Sequence, residues 1–101
     1  MKLSIIIPAY NEEKRIIPTL EEYYNFFNDK FRNEFEIIVI PNNCKDNTLE
    51  ITQKFAKNKK QIRVFNIPNY SGKGGAVMTG FELAKGEYIG FSDADNSTNP
   101  E

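Results

Sequence analysis

The chain has no histidine, one cysteine and only four aspartates, Asp29, Asp46, Asp93 and Asp95, in its 101 residues. Lack of histidine removes the commonest general base and the commonest transition-metal ligand. Cys44 has no partner for an internal disulfide, and a lone thiol is compatible with a reducing compartment. Long apolar runs are missing too. Ile5-Ile6-Ile7 and Ile37-Ile38-Val39-Ile40 fall far short of the roughly 20 residues that a membrane span needs. Met1-Lys2 leads straight into the first of them, without the hydrophobic region and small-residue cleavage site of a secretory signal. A cytoplasmic location is the expectation. Nor does charge of one sign dominate: 13 basic and 14 acidic residues leave a net charge of −1, which argues against nucleic acid or anionic lipid as a partner held by bulk charge.

What is present is the balance of one soluble globular domain over residues 1–101, with 40% hydrophobic, 13% aromatic and 27% charged side chains. A chain of this size removes about 60–70% of its unfolded surface from water, enough for one core and not for two. No repeat, low-complexity segment or linker divides it. Leu3 to Ile7, ending at Pro8, and Phe35 to Ile40 are nearly unbroken apolar runs, the pattern of strands buried on both faces. Between them Ile16, Leu20, Tyr23 or Tyr24, and Phe27 recur at helical spacing. Asn11 is a candidate cap, Glu12 and Glu13 suit a first turn, and Pro18 argues for a regular helix from about Ile17. A second helix, capped by Asp46 or Asn47, runs through Leu49, Ile51, Phe55 and Ala56 into Lys57–Lys60.

Ile62 to Ile67 reads as a third strand, broken by Pro68-Asn69-Tyr70-Ser71-Gly72. A third helix over about Gly75 to Lys85 would turn Ala76, Val77, Phe81 and Ala84 inward, with Gly86 at its C-terminus. Glu87 to Ser92 supplies a fourth strand. The order β-α-β-α-β-α-β predicts an α/β, Rossmann-like parallel sheet with right-handed crossovers.

In such sheets ligands bind beyond the carboxyl ends of the strands, and every unusual polar cluster falls there. Gly72-Lys73-Gly74-Gly75 before a helix brings together backbone N–H donors, a lysine and a helix N-terminus, which favour an anion. It matches neither the P-loop nor the dinucleotide fingerprint, and a glycine-rich turn with a solvated lysine fits as well. Asp93-Ala94-Asp95 is sharper. Residues i and i+2 of a strand share a face, so the carboxylates would repel unless a cation such as Mg2+ or Mn2+ lay between them and a diphosphate. A solvated acidic turn that caps a helix is the competing reading.

The series Ser4-Ile5-Ile6-Ile7-Pro8-Ala9-Tyr10-Asn11-Glu12-Glu13, Asp46-Asn47-Thr48, Asn69, Gly72-Lys73-Gly74-Gly75-Ala76-Val77, Gly80, Ala84-Lys85-Gly86, Phe91-Ser92-Asp93-Ala94-Asp95 and Pro100-Glu101 resembles the N-terminal, nucleotide-binding half of an inverting family 2 glycosyltransferase, the GT-A fold. Within that family it is most similar to enzymes that glycosylate polyprenyl phosphates, the dolichyl-phosphate glucosyl- and mannosyltransferases among them. The resemblance implies that Pro8, Ala9, Tyr10 and Glu12 line a pocket for base and ribose and that Lys73 lies near the nucleotide. Asp93 and Asp95 would form the metal-and-diphosphate motif, with Asp95 on Mg2+ or Mn2+ and Asp93 nearer the ribose or a metal-bound water. One departure stands out. The family usually carries an Asp-Asp-Gly-Ser type sequence after strand two, where this chain has Pro41-Asn42-Asn43-Cys44. The Asn42 carbonyl can accept a base N–H, but without a carboxylate's charge, which bears on donor affinity and base preference.

The expected ligand is thus a UDP- or GDP-linked sugar, with a polyprenyl-phosphate acceptor at the cytoplasmic face of the membrane in a longer parent. Only six residues follow Asp95, and the family places its acceptor segment and catalytic carboxylate beyond that motif, so the chain is expected to be truncated, inactive alone and prone to self-association through uncovered apolar surface. Two other readings compete. A nucleotidyltransferase would carry a glycine- and arginine-rich loop after strand one, which Pro8-Ala9-Tyr10-Asn11-Glu12 is not. A non-catalytic nucleotide-binding or assembly module would keep the fold without the chemistry.

Overall fold

A computed structural model describes residues 1–69 and 72–92, with the side chains at 72 and 73 outside the description. In chain order the elements are β1 (Leu3–Ala9), α1 (Ile16–Phe31), β2 (Phe35–Pro41), α2 (Thr48–Ala56), β3 (Ile62–Val64), α3 (Gly72–Leu83) and β4 (Tyr88–Phe91). The strands form one four-stranded sheet in the order β3-β2-β1-β4. All neighbours are parallel, in a register that sets Ile5 beside Ile37 and Ile37 beside Ile62. The expected α/β parallel sheet is what forms.

The chain steps outward from β1 to β2 to β3, then returns across both to place β4 on the other side of β1. Right-handed crossovers put the helices of outward and returning steps on opposite faces, and the core divides accordingly. One face buries Ile5, Ile7, Ile37, Val39 and Ile62 against Ile16, Leu20, Tyr23 and Phe27 of α1, with Ile51 and Phe55 of α2 packed alongside. The other buries Ile6, Ile38 and Ile40 against Ala76 of α3. Each of these fully buried isoleucines contributes about 1.5–3 kcal/mol relative to exposure.

Several boundaries differ from the sequence-based expectation, each for a local reason. β1 runs through Pro8 to Ala9, where Pro8 pairs with Ile40. Lys2 and Ile6 carbonyls accept from Tyr88 and Ser92 N–H, so Pro8 nitrogen lies on this same β4-facing edge of β1. Among the described residues the β4 pairing ends at Ile6, two residues before Pro8, so the proline stands beyond the described ladder. Helix α1 starts at Ile16, with Arg15 as an N-cap that makes no side-chain cap bond and no acidic residue in the first turn. Pro18 is third in the helix, a position whose N–H needs no helical acceptor; the ladder begins with Thr19 N–H to Arg15 carbonyl at 3.2 Å.

Strand β3 stops at Val64, and Ile67 rejoins the sheet only as a single bridge to Asn42. Helix α3 begins at Gly72 rather than Gly75 and ends at Leu83. Its inward side is Ala76 and Gly80, while Phe81 is 41% exposed. A Cβ on Gly80 would stand 2.4 Å from Ile6 Cγ2, so the helix rides directly on β1 and the bulkier Phe81 is turned out. The exposed Met78, Phe81, Ile89 and Phe91 lie on α3 and on the edge strand β4. Among the described residues no helix is long and apolar enough to cross a membrane.

Candidate functional site

The strand order reverses between β1 and β4. In doubly wound sheets that is where a crevice opens at the carboxyl edge. The residues expected to bind a nucleotide gather at this edge as far as they are described. Pro8 and Ala9 end β1, with Ala9 buried and Tyr10 half-exposed just beyond. Asn42, buried, follows β2; its N–H donates to the Ala9 carbonyl at 2.8 Å, which holds the exits of β1 and β2 together. Its backbone also bridges to Ile67 beyond β3. Three strand exits thus share one hydrogen-bonded rim.

Glu12 is partly buried, and its Oε1 is held by Arg15 Nη2 at 2.6 Å and Nε at 2.8 Å. It belongs to the rim, but its carboxylate faces a cation of its own chain. Lys73 lies in the first turn of α3, so the glycine-rich segment is the start of a helix rather than a loop before one. Its side chain, and Asp93 and Asp95 altogether, lie outside the described residues. Ser92, the residue before Asp93, is buried, and its hydroxyl is hydrogen-bonded to the Tyr23 hydroxyl of α1. Among the described residues no three His, Cys, Asp or Glu side chains come together as a metal site.

The loops after β1 and β2 are joined by residues with other expected duties. Asn11, the candidate helix cap, sits at φ 54° and accepts the Lys45 N–H on Oδ1 at 2.7 Å. Cys44 receives the Asn11 N–H and faces the Ala9 carbonyl, both at 3.4 Å from Sγ. The N-cap of α2 is Asn47, which makes no side-chain cap bond; Asp46, one residue before it, accepts Thr48 N–H at 3.0 Å on Oδ1, while its Oδ2 accepts Glu13 N–H at 3.2 Å. Thr48 Oγ1 accepts Glu12 N–H at 2.8 Å. Burial of the Asp46 carboxyl opposes its charge, but the bonds from Thr48 and Glu13 outweigh it and hold the group below its ordinary value. The sequence signal for Asp46 was its place two residues before Thr48; nothing in the sequence pointed from there to Glu13.

A parallel Rossmann-like sheet with its loops converging at this switch point defines the doubly wound α/β class, whose ligands bind outside the carboxyl ends of the strands. The family described as Glycosyl transferase family 2 matches residues 4–101. The chain belongs to that family. It is 40% identical over 99 residues to dolichyl-phosphate beta-glucosyltransferase ALG5C of Trichomonas vaginalis, covering 94% of this chain and 29% of that protein. The Saccharomyces cerevisiae dolichyl-phosphate beta-glucosyltransferase is 36% identical over 101 residues, covering 95% of this chain and 30% of the relative. The chain therefore spans about a third of the length of these curated relatives. In three dimensions it matches S. aureus TarS 1-349 in complex with UDP at a TM-score of 0.86 and 34% identity, over 100% of this chain and 29% of that one. The mannosyltransferase PcManGT from Pyrobaculum calidifontis, in complex with GDP-Man and Mn2+, matches at 0.84 and 26% identity over 93% of this chain and 27% of that one.

Proposed function

We propose that residues 1–101 are the donor-binding unit of a metal-dependent inverting glycosyltransferase, which binds a UDP- or GDP-linked sugar for transfer of a hexose to a polyprenyl phosphate. The observation that carries this reading is the rim built by Ala9 and Asn42 at the switch point. Family membership supports it, as do structural relatives in complex with UDP, UDP-GlcNAc and GDP-Man. In it Pro8, Ala9, Tyr10, Glu12 and Asn42 line the base and ribose pocket, Lys73 lies near the nucleotide, and the α3 N-terminus favours its phosphates.

Asp93 and Asp95 would hold the divalent ion, Mg2+ or Mn2+, because two carboxylates two residues apart at a strand end give oxygen ligands and leave positions for a diphosphate. Such an ion neutralises charge on the departing diphosphate. The chain's own residues bind and orient the nucleotide at a preformed edge. The acceptor site and the base that deprotonates the acceptor are assigned to further parts of a longer enzyme at the cytoplasmic face of the membrane, so the piece alone is inactive. Exposed Met78, Phe81 and Phe91 support self-association of the piece, with β4 as its open edge.

Calorimetry with UDP, GDP and their sugars, with Mn2+ and after chelation, tests the reading. Binding that needs the ion and weakens in Asp95→Ala is expected. Binding indifferent to both favours a non-catalytic module, and sugar transfer by the 101-residue chain alone would overturn the assignment of catalysis to further parts.

A further inference from the structure

The two loops of the rim are held by each other as well as by their own residues. Three successive N–H groups of the first loop, those of Asn11, Glu12 and Glu13, are taken by side chains of the second, Cys44, Thr48 and Asp46. The two oxygen acceptors are themselves coupled, since Thr48 Oγ1 donates to Asp46 Oδ1 at 2.5 Å while that oxygen also accepts Thr48 N–H. Thr48 is fully buried. A carboxylate serving only as a helix cap needs the N–H groups of its own helix. Asp46 instead spends its second oxygen on a residue 33 positions earlier in the chain.

Resting on the donor-site reading above, we propose that Asp46 and Thr48 are positioning residues for the nucleotide: without touching it, they hold the Tyr10–Glu13 backbone in the arrangement the base and ribose meet. Ordering a residue's backbone costs about 1–2 kcal/mol. A loop ordered when the chain folds does not oppose ligand binding by that amount again. Asn11, bonded to Cys44 and Lys45, stands in the same loop at φ 54°, a left-handed conformation that asparagine tolerates.

Substitutions separate this role from plain helix capping. Asparagine caps helices as well as aspartate does, so a capping role predicts little change in Asp46→Asn. In the clamp, asparagine's NH2 must face either the Glu13 N–H or the Thr48 donors. Thr48→Val removes the acceptor for Glu12, whereas Thr48→Ser keeps it. The measurement is UDP affinity by calorimetry with Mn2+, at a temperature where thermal melts show every variant folded, together with amide exchange at Glu12 and Glu13. Asp46→Asn and Thr48→Val are expected to bind UDP about tenfold more weakly and to lose protection at those amides, with Thr48→Ser within about twofold of wild type. Unchanged affinity in the two folded variants, or loss in Thr48→Ser equal to that in Thr48→Val, overturns the positioning role alone. A wild-type chain that binds none of UDP, GDP and their sugars overturns the donor reading, and this proposal with it, even where the amides lose protection as expected; where the chain prefers GDP, the same comparison of variants is made with GDP.

Discussion

Ser4 Oγ donates a 2.6 Å hydrogen bond to Glu36 Oε2, from β1 to β2, with both side chains out of solvent. The same carboxylate oxygen accepts Lys85 N–H at 2.7 Å, and Oε1 accepts Arg63 Nη1 at 2.9 Å. Arg63 Nη1 also donates to the Leu83 carbonyl and Gly86 N–H donates to Ser4 Oγ. A buried charge of this kind ties β1, β2 and β3 to the end of α3, at the opposite edge of the sheet from the nucleotide rim. Glu36 is the buried member, while the Arg63 side chain is 36% exposed and keeps its bond to Leu83, so the cost of losing the carboxylate falls on the Ser4 and Lys85 donors left facing no acceptor. Glu36→Gln keeps the shape but aims an NH2 at donors, and is expected to lower unfolding stability by about 1–3 kcal/mol. Urea denaturation measures it; a loss below about 0.5 kcal/mol, the scale of an ordinary surface change, contradicts the network.

The acid response follows from two carboxyls. Burial opposes the charge of Glu36, but the Ser4 hydroxyl, the Lys85 N–H and Arg63 prevail and hold it below its ordinary 4.5; Asp46 is likewise held below 3.8. Both folded values are depressed, so their contribution to stability is fully present above pH 4.5 and disappears as pH falls through the lower folded values. The urea midpoint should therefore hold from neutrality to pH 4.5 as far as these groups decide it, then drop. Asp46→Asn should flatten part of that acid slope. An identical slope in Asp46→Asn and wild type would show that Asp46 is not responsible.

Two glycines predict opposite signs for one substitution. A Cβ on Gly86 would lie 2.6 Å from Ser4 N and 2.7 Å from Leu3 C, backbone atoms of the central strand β1 that cannot step aside. Gly86→Ala should destabilise by about 1–3 kcal/mol. A Cβ on Gly74, inside α3, meets nothing within 4 Å. Gly74→Ala should stabilise by about 0.5–1 kcal/mol through helix propensity and a less flexible unfolded chain. Thermal melts of the pair decide; the same sign for both would contradict the packing described.

The Tyr23 hydroxyl reaches Ser92 across 69 positions and anchors the last described residue of the chain to α1. Tyr23→Phe keeps the ring, stacked on Phe27 at 6.0 Å between centroids, and removes the bond. A loss of about 1 kcal/mol is expected in chemical denaturation. If Ser92 also sets the start of the Asp93-Ala94-Asp95 segment, Mn2+-dependent UDP binding should weaken in the folded variant; equal affinity would confine Tyr23 to stability.

Local pattern was enough for the class of this fold. The unbroken apolar runs at Ile5–Ile7 and Ile37–Ile40 required strands buried on both faces, and their alternation with helical periodicity required parallel strands with crossovers. The inward face of α1 through Ile16, Leu20 and Phe27 was likewise legible, because a period of 3.6 residues records which side of a helix meets a core. The same logic sent Pro8, Ala9, Tyr10, Glu12 and Asn42 to one edge, since parallel strands have all their exits on one side.

Whatever depended on a partner distant in sequence was decided by the tertiary structure. Pro8 remains in β1 beyond the described β4 ladder, which ends at Ile6, and Gly80 rather than Phe81 faces the sheet because α3 crosses directly over Ile6. Glu36 could sit in a buried strand only because Ser4, Arg63 and Lys85 arrive from elsewhere. Asp46 bonds the first N–H of α2 from just outside its N-cap, a local contact, yet its bond to Glu13 exists only once β1 and β2 are paired. Periodicity states which faces a segment must bury; hydrogen bonds between loops 30 or more positions apart depend on distances that only the assembled sheet sets.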